Sequence, residues 1–505
     1  MEKKFYITTP IYYVNDIPHI GHAYTTIAAD VLARYHRLIG DDTYYLTGTD
    51  EHGTKIAEAA ECAGKTPQEF CDEKAATFEF LWDRLDISND QFIRTTSNVH
   101  KKGVEKFLTK LKEADAIYEG QYEGLYCTGC EKFMTEKELV DGKCPDHQKE
   151  PEVVREKNYF FKLSKYLPQV KEMIDKGKIK IIPESRKKEV LGLFKQGLDD
   201  FSISRESVKW GIQLPFDKSQ VSYVWAEALQ NYITAIGYEA DDKQFSKLWP
   251  ADIHLMAKDI IKFHAVSWPA MLLAAGLEMP KVIYAHGFFT VDGKKMSKSL
   301  GNVIDPNALI DEFGADATRY LLLSQFPFGN DGDVKAGEFA IQYNADLANG
   351  IGNLVSRVTS MTEKYFDSKV PETDTYNLEA ETTQVWGKYK EAMKIFQIDG
   401  AISAVKELNG ICDAYIEQNK PWELAKDSED KLAVVLYNLL EAIRHLGLMI
   451  YPILPETAEK IQVALGQCEF NSQDFKKLSK WGGLKSGIEV KKGEALFPRL
   501  EAKED

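Results

Sequence analysis

Four groups of residues in this 505-residue chain have side-chain types and spacings suited to chemistry. Cys127 and Cys130, followed by Cys144 and His147, form a C-x2-C and C-x2-H set divided by a short charged loop. Each pair fits a knuckle turn, and thiolates with an imidazole favour one zinc ion. Four protein ligands close such a site to water, so the metal is expected to be structural. His19 and His22, with Gly21 between them, fall on one face of a first helical turn, beside backbone N–H groups that lack an intrahelical partner. That arrangement suits nucleotide phosphates, and Gly21 leaves room for a flat base to approach the backbone. Gly293 and Gly301 bracket Lys295 and Lys298. Two cations in such a loop suit a polyphosphate whose leaving pyrophosphate gathers charge, although a solvated basic turn has the same composition. Asp50 closes the run Leu46-Thr47-Gly48-Thr49-Asp50, where a strand's C-terminal end opens onto a crevice; capping a helix is its other reading.

These groups need a scaffold, and the chain supplies an α/β one. Phe5–Thr9 is an apolar, strand-type run halted at Pro10, and the chain then turns through Asn15-Asp16 and Pro18 into a helical pattern over about 19–38. Asp42–Asp50 reads as a second strand and Pro67–Leu85 as a second helix. Strand, helix, strand, helix predicts a doubly wound parallel, Rossmann-like sheet. The pattern changes over 117–219, which carries the cysteine set, and sheet-type sequence resumes at about Gln220. The zinc-bearing segment is therefore expected as an insertion. Strands are expected at Ile253–Ala257 and Val282–Phe288, and beyond about Asn330 helical periodicity alone, at Phe339–Met361, Glu379–Gln418, Lys431–Met449 and Pro455–Leu465. The expected division is a sheet domain at 1–116 and 220–300, an insertion at 117–219, a linker at 301–338 and an all-α helical bundle at 339–505.

Two short stripes accompany these elements. Trp225, Ala228 and Tyr232 share one helical face, and Ile260, Phe263 and His264 share another. By themselves both read as well as core packing. In the helical region Asn353 and Arg357 stand one turn apart, and Trp422 follows Pro421 at a helix start. Such groups suit hydrogen bonding to exposed base edges and stacking on unpaired bases, or ordinary capping and packing.

Composition narrows the class. Hydrophobic residues make up 44% of the chain, ample for buried cores, and the formal net charge is −15. That charge argues against a protein that coats nucleic acid through bulk charge, but not against one that uses a local basic face. The sequence has no apolar run of the roughly 18 residues that span a bilayer, and Met1-Glu2-Lys3-Lys4 leads into a strand. A cytoplasmic protein without a membrane partner is expected. Seven cysteines, three of them in the knuckle pattern, fit reduced thiols better than disulfides.

The ordered pair His19-Ile20-Gly21-His22 and Lys295-Met296-Ser297-Lys298-Ser299, on opposite sides of a zinc-type insertion, resembles the class I aminoacyl-tRNA synthetases. Pro10-Ile11-Tyr12-Tyr13, Thr49-Asp50-Glu51-His52-Gly53, Val224-Trp225 with Ala228 and Tyr232, and Lys258-Asp259-Ile260 with Phe263-His264 narrow the resemblance to the methionyl-tRNA synthetase family. The resemblance implies a methionine pocket of Ile11, Tyr13, Trp225, Ala228, Tyr232, Ile260, Phe263 and His264, with Tyr13 and His264 near the sulfur and Asp50 on the α-ammonium. It implies that His19, His22 and Lys298 hold ATP phosphates, that Gly21 lies beneath adenine and that Asp259 meets the ribose. It also implies Lys298 as the foremost catalytic residue, followed by Lys295, His19 and His22. One zinc ion and Mg²⁺ with ATP are the implied cofactors. The implied partners are ATP, L-methionine and tRNA(Met), the last expected through its acceptor end and through a CAU anticodon met by Asn353, Arg357 and Trp422. The sequence lacks the C-terminal oligonucleotide-binding domain through which some members dimerise, so a monomer is expected. It departs from the family pattern at Ala226-Glu227, Ala257, Val14 and Asp16, and at His147, which is cysteine in many members.

Overall fold

The structure is a computed structural model that describes residues 3–501 except 16, 135, 146–147, 292, 296–302, 336 and 468–474. Its centre is a six-stranded sheet whose pairings are all parallel. The aromatic and β-branched run Lys4–Tyr13 forms β1, and the helix α1 (Ile20–Leu38) crosses over to β2 (Asp42–Asp50). Two further helices, α2 (Thr54–Cys62) and α3 (Pro67–Arg84), lead to β3 (Gln91–Arg94), and α4 (Asn98–Glu113) follows. A capping box of Thr66 and Glu69 starts α3, with Pro67 at its first position.

The chain then leaves the sheet. Strands β4 (Ile117–Cys127), β5 (Lys132–Met134), β6 (Glu152–Phe161) and, later, β8 (Phe201–Ser202) form a separate antiparallel sheet in the order β5-β4-β6-β8. Between β6 and β8 lie α5 (Leu163–Asp175), β7 (Lys180–Ile182) and α6 (Glu184–Gln196). Here the structure corrects the sequence reading, because β7 falls inside 117–219 yet pairs with the main sheet as its edge. Three residues before Pro183 are too short to show a period. The second correction concerns the return of the sheet. Strand β10 (Val221–Ser222) pairs antiparallel with β9 (Ser204–Arg205), and the main sheet resumes only at β11 (Ile253–Ala257) and β12 (Val282–His286).

The final order is β3-β2-β1-β11-β12-β7. Succession runs outward one way from β1 and the other way from β11, so the switch point lies between these two strands, and ligands enter such sheets outside their carboxyl ends. The helical part is continuous with this sheet through one hydrophobic core that contains both Ile7 and Leu440. Strands do not end at Asn330: Gly332–Val334 pairs with Phe289–Val291. The stretch expected as one helix over Glu379–Gln418 is two, Glu379–Lys394 and Ile398–Asn419, because Phe396 turns with φ +63°. The stretch expected at Phe339–Met361 contains a π-helical segment, Tyr343–Gly352, before the helix Asn353–Phe366. One helix among the described residues, Glu429–Ile450, is long and apolar enough to cross a membrane, but 89% of its apolar window is buried inside the helical domain. Its hydropathy is that of a core helix.

Arg319, fully buried, joins the two parts. Its guanidinium donates to the carbonyls of Ile453 and Pro452 (2.9 Å each) and of Leu85 (3.1 Å), and pairs with Asp30 at 2.7 Å. Every arm of the fork has an acceptor.

Candidate active site

The carboxyl ends of β1 and β2 form the floor of the site. Pro10 has no N–H to give to a ladder, and the β1/β2 register shifts between Thr8 and Ile11. Beyond that shift Ile11 and Tyr13, two residues apart, line one cavity. Tyr12 turns the other way, into the core beside Phe78 and Trp82. The same register sets Tyr13 opposite Asp50 on β2.

The cavity has a volume of about 170 Å³ and is lined by Pro10, Ile11, Tyr13, Asp50, Val224, Trp225, Ala228, Leu229, Asn231, Tyr232, Ile260 and His264, with Gly129, Cys130 and Glu131 from the insertion. Trp225 and Ala228 come from the short helix α7 (Val224–Ala228) and Tyr232 from α8 (Asn231–Thr234). Phe263 stands behind the other expected wall residues. It is absent from the lining and stacks on the Trp225 indole instead, with centroids 4.0 Å apart and planes 1° from parallel. His264 is buried, and its Nδ1 lies 3.0 Å from the Ile260 carbonyl. Only a protonated Nδ1 makes that bond, so Nε2 accepts from the Tyr232 hydroxyl at 2.7 Å. Burial pushes the His264 pKa down to about 4, so the ring is neutral at physiological pH.

Asp50 is the one carboxylate among these walls with a missing partner. Its Oδ1 is buried and accepts nothing. Burial first, then the charges of Glu227, Glu131 and Glu51, raise its pKa well above the carboxylate range, and the His52 backbone N–H opposes them. A cation entering this cavity would meet an acceptor otherwise left unsatisfied.

At the edge of this floor, the expectation for His19 and His22 needs one revision. His19 is not in the helix but caps it: its Nδ1 accepts from Gly21 N at 3.1 Å, while His22 Nδ1 accepts from His19 N at 3.3 Å. The histidines thus form a reciprocal capping box, with rings stacked 3.8 Å apart. Some of the helix N–H groups expected to await phosphate are used here. In exchange, with both Nδ1 atoms accepting, each neutral ring carries its proton on Nε2 as a hydrogen-bond donor. Burial, then the charge of His19, hold His22 well below the usual imidazole pKa, so that ring is neutral. Asp259 stands exposed in the 3₁₀ turn Lys258–Ile260 at the end of β11, the strand beside β1. It therefore borders the switch point together with His19 and Gly21. Lys298 lies outside the described residues, and Lys295 is described only as backbone in the short strand Lys294–Lys295.

In the insertion, the sulfurs of Cys127, Cys130 and Cys144 lie within 4.8 Å of one another, and those of Cys130 and Cys144 are 3.5 Å apart. Tetrahedral ligation with Zn–S near 2.3 Å separates two sulfurs by roughly 3.8 Å, so the donor set and its spacing fit zinc. His147 lies outside the described residues. In the helical part, Asn353 is exposed at the first position of its helix, and Arg357 pairs with Glu417 at 3.2 Å. Glu417 is in the last turn before Pro421, and Trp422, 40% exposed, begins the next helix.

The matches to known proteins agree with this geometry along the whole chain. The family model "tRNA synthetases class I (M)" matches residues 5–152 and 147–359, and "Anticodon binding domain of methionyl tRNA ligase" matches 368–505. The chain belongs to the methionyl-tRNA synthetase family. Among curated members, the methionine–tRNA ligase of Caldanaerobacter subterraneus subsp. tengcongensis is 46% identical over all of this chain and 80% of its own length. That of Clostridium acetobutylicum is 47% identical over 99% and 79%. The solved methionyl-tRNA synthetase of Mycobacterium tuberculosis in complex with methionyl-adenylate superposes with a TM-score of 0.94 at 38% identity, over 98% of this chain and 100% of that one. Its free form gives 0.87 at 34% identity, over 99% of each.

Sequence reasoning missed a second layer of this methionyl-tRNA synthetase site. Glu227, wholly buried on α7, accepts from His52 Nδ1 at 2.7 Å and His100 Nε2 at 2.8 Å, and His100 Nδ1 lies 2.8 Å from Thr234 Oγ1. Burial pushes the Glu227 carboxyl up, but the two histidines prevail and hold it at about 2. Through this cluster α7, α8 and α4 grip the residues after Asp50. The one legible trace was Glu227 itself, a departure from the family pattern.

Proposed function

We propose that this chain joins L-methionine to the 3′ end of tRNA(Met), initiator and elongator, in two steps at the cavity described. The methionine carboxylate attacks the α-phosphate of ATP in line, releasing pyrophosphate and leaving methionyl-adenylate. A hydroxyl of the terminal adenosine then attacks the adenylate carbonyl. The observation that carries this reading is an Asp50 carboxyl with an unpartnered oxygen in a cavity whose other walls are largely aromatic and aliphatic, which suits an amino acid with a long, weakly polar side chain.

Asp50 takes the α-ammonium; Ile11, Tyr13, Trp225, Ala228, Tyr232, Ile260 and His264 surround the side chain, and Phe263 sets the plane of Trp225. The Nε2 donors of His19 and His22 meet phosphate oxygens, Gly21 lies beneath adenine and Asp259 meets the ribose. Lys298 and Lys295 neutralise charge growing on the pyrophosphate. Mg²⁺ arrives with ATP as part of that substrate. Cys127, Cys130, Cys144 and His147 hold one zinc ion, which when bound braces the knuckle. Asn353, Arg357 and Trp422 read the CAU anticodon, with Glu417 orienting Arg357. The parallel sheet, the metal-bearing insertion and the helical bundle act as catalytic, connective and anticodon-binding domains, bounded near 117, 219 and 339, with β7 returned to the first. This task belongs to protein synthesis and places the chain in the cytoplasm.

Pyrophosphate exchange with each of the twenty amino acids tests the reading: methionine alone should support it. Exchange driven more strongly by isoleucine or leucine would overturn it.

A further inference from the structure

Glu131 follows directly after Cys130. It is buried, with φ of +50°, and its side chain leaves the metal knuckle for the cavity. Its Oε1 accepts from the Tyr13 hydroxyl at 3.1 Å and from the Lys55 backbone N–H at 2.7 Å, and its Oε2 accepts from the Tyr126 hydroxyl at 2.5 Å. Its own carbonyl accepts from the Tyr223 hydroxyl at 2.6 Å. One residue thus touches β1, the first turn of α2, β4, and the residue that leads into α7. The packing is close: a Cβ on Gly53 would lie 2.8 Å from Glu131 Oε1 and 2.9 Å from the Tyr13 hydroxyl, and Gly53 itself has φ of +111°. Lys55 Nζ adds a bond to the Gly129 carbonyl at 3.3 Å and lies 5.9 Å from the centre of the Tyr13 ring.

We infer that Glu131 is a positioning residue for methionine: it fixes the Tyr13 ring and the loop after Asp50 against the cysteine knuckle, so that the knuckle forms the far wall of the amino-acid pocket. The chemistry is that of a bridging acceptor. The Tyr13 hydroxyl and the first-turn backbone N–H of α2 both donate to one carboxylate oxygen. Without that oxygen the tyrosine ring has rotamer freedom on the side where the thioether would lie, and the Asp50 loop loses its tie to the insertion. The inference rests on the function proposed above, in which ATP meets the His19–His22 turn at the start of α1, whereas the partners of Glu131 are Tyr13, Lys55, Tyr126 and Tyr223.

The test uses Glu131→Ala and Glu131→Gln in the full-length metal-loaded enzyme, with methionine affinity measured by calorimetry and with KM for methionine and for ATP measured in pyrophosphate exchange. Glu131→Ala should weaken methionine binding by roughly tenfold, the loss expected from one or two misplaced hydrogen bonds, and raise the methionine KM to match while the ATP KM stays within twofold. Glu131→Gln retains an amide oxygen at the Oε1 position and should restore methionine affinity to within threefold of the parent. Should Glu131→Ala destabilise the fold, Tyr13→Phe removes the same bond from the other end and should produce the same split between the two KM values. Unchanged methionine affinity in Glu131→Ala, an equal rise in both KM values, or Gln behaving like Ala would each overturn the assignment.

Discussion

Replacing Asp50 with asparagine isolates the charge at the centre of the site, since the two side chains have nearly the same shape. In the free enzyme one Asp50 oxygen is buried without a partner, and such an acceptor costs about 1–3 kcal/mol. Binding of an α-ammonium removes that cost and adds a desolvated charge pair, whose truncation typically loses about 2–5 kcal/mol. At roughly 1.4 kcal/mol per decade, Asp50→Asn should lower kcat/KM for methionine by roughly 30- to 5,000-fold in pyrophosphate exchange. The pH dependence has a definite sign. Only the ionised carboxylate pairs with the ammonium, and Asp50's pKa is raised well above 3.8 by burial and by Glu227, Glu131 and Glu51. The acid limb of the parent's kcat/KM for methionine should therefore lie well above the ordinary carboxylate range, falling tenfold per pH unit on its acid side, and should vanish in the variant. Stability moves the opposite way. An acid whose folded pKa is raised loses stability as pH climbs above its unfolded value, so substrate-free Asp50→Asn should melt at a higher temperature than the parent at pH 7. A methionine kcat/KM within threefold of the parent, or an unchanged acid limb, would refute this reasoning.

Other perturbations separate the remaining parts. Arg319→Ala leaves Asp30 buried without its main counter-charge and should cost about 3–5 kcal/mol, read as a drop in the denaturant midpoint. Against burial, Arg319 and Arg34 hold the Asp30 pKa at about 2, so this contribution is present above about pH 4 and lost as pH falls toward 2. Lys298→Ala and His22→Ala should each slow adenylate formation roughly 10²–10³-fold with methionine affinity unchanged by calorimetry, because both groups act on phosphate charge. Trp422→Ala should raise the tRNA KM by the worth of one lost stack, about 1–3 kcal/mol, and leave pyrophosphate exchange within twofold; an equal fall in exchange would make the tryptophan a packing residue. Chelating the knuckle metal should remove hydrogen-exchange protection from β4 to β6 while β1, β2 and β11 keep theirs. Loss of protection throughout would show that the insertion and the parallel sheet fold as one unit.

Local chemistry was the legible part. The cysteine knuckle, the His19–His22 turn and the alternation of strand and helix each depend on neighbours a few residues apart, so spacing alone exposes them. The stripe Trp225, Ala228, Tyr232 was also visible, although its helix is broken between α7 and α8. Short or context-dependent elements were not. Strand β7 has three residues and no period, and the helix break at Phe396 rests on one backbone angle. Phe263 shared a helical face with His264, yet only packing decided that it backs Trp225 instead of facing the cavity.

Which residues could bind phosphate, metal and an ammonium group is written in the chain itself, because those capacities belong to side-chain type and short spacing. Tertiary structure alone decided what orients and tunes them. Glu131 reaches Tyr13 across 118 positions, Glu227 reaches His52 across 175, and Arg319 reaches Leu85 across 234. Contacts at such separations leave no periodic trace in the chain. Their consequences — a neutral His22, an Asp50 with one oxygen left unpaired, a knuckle leaning on the pocket — follow from burial, and burial exists only once the chain has folded.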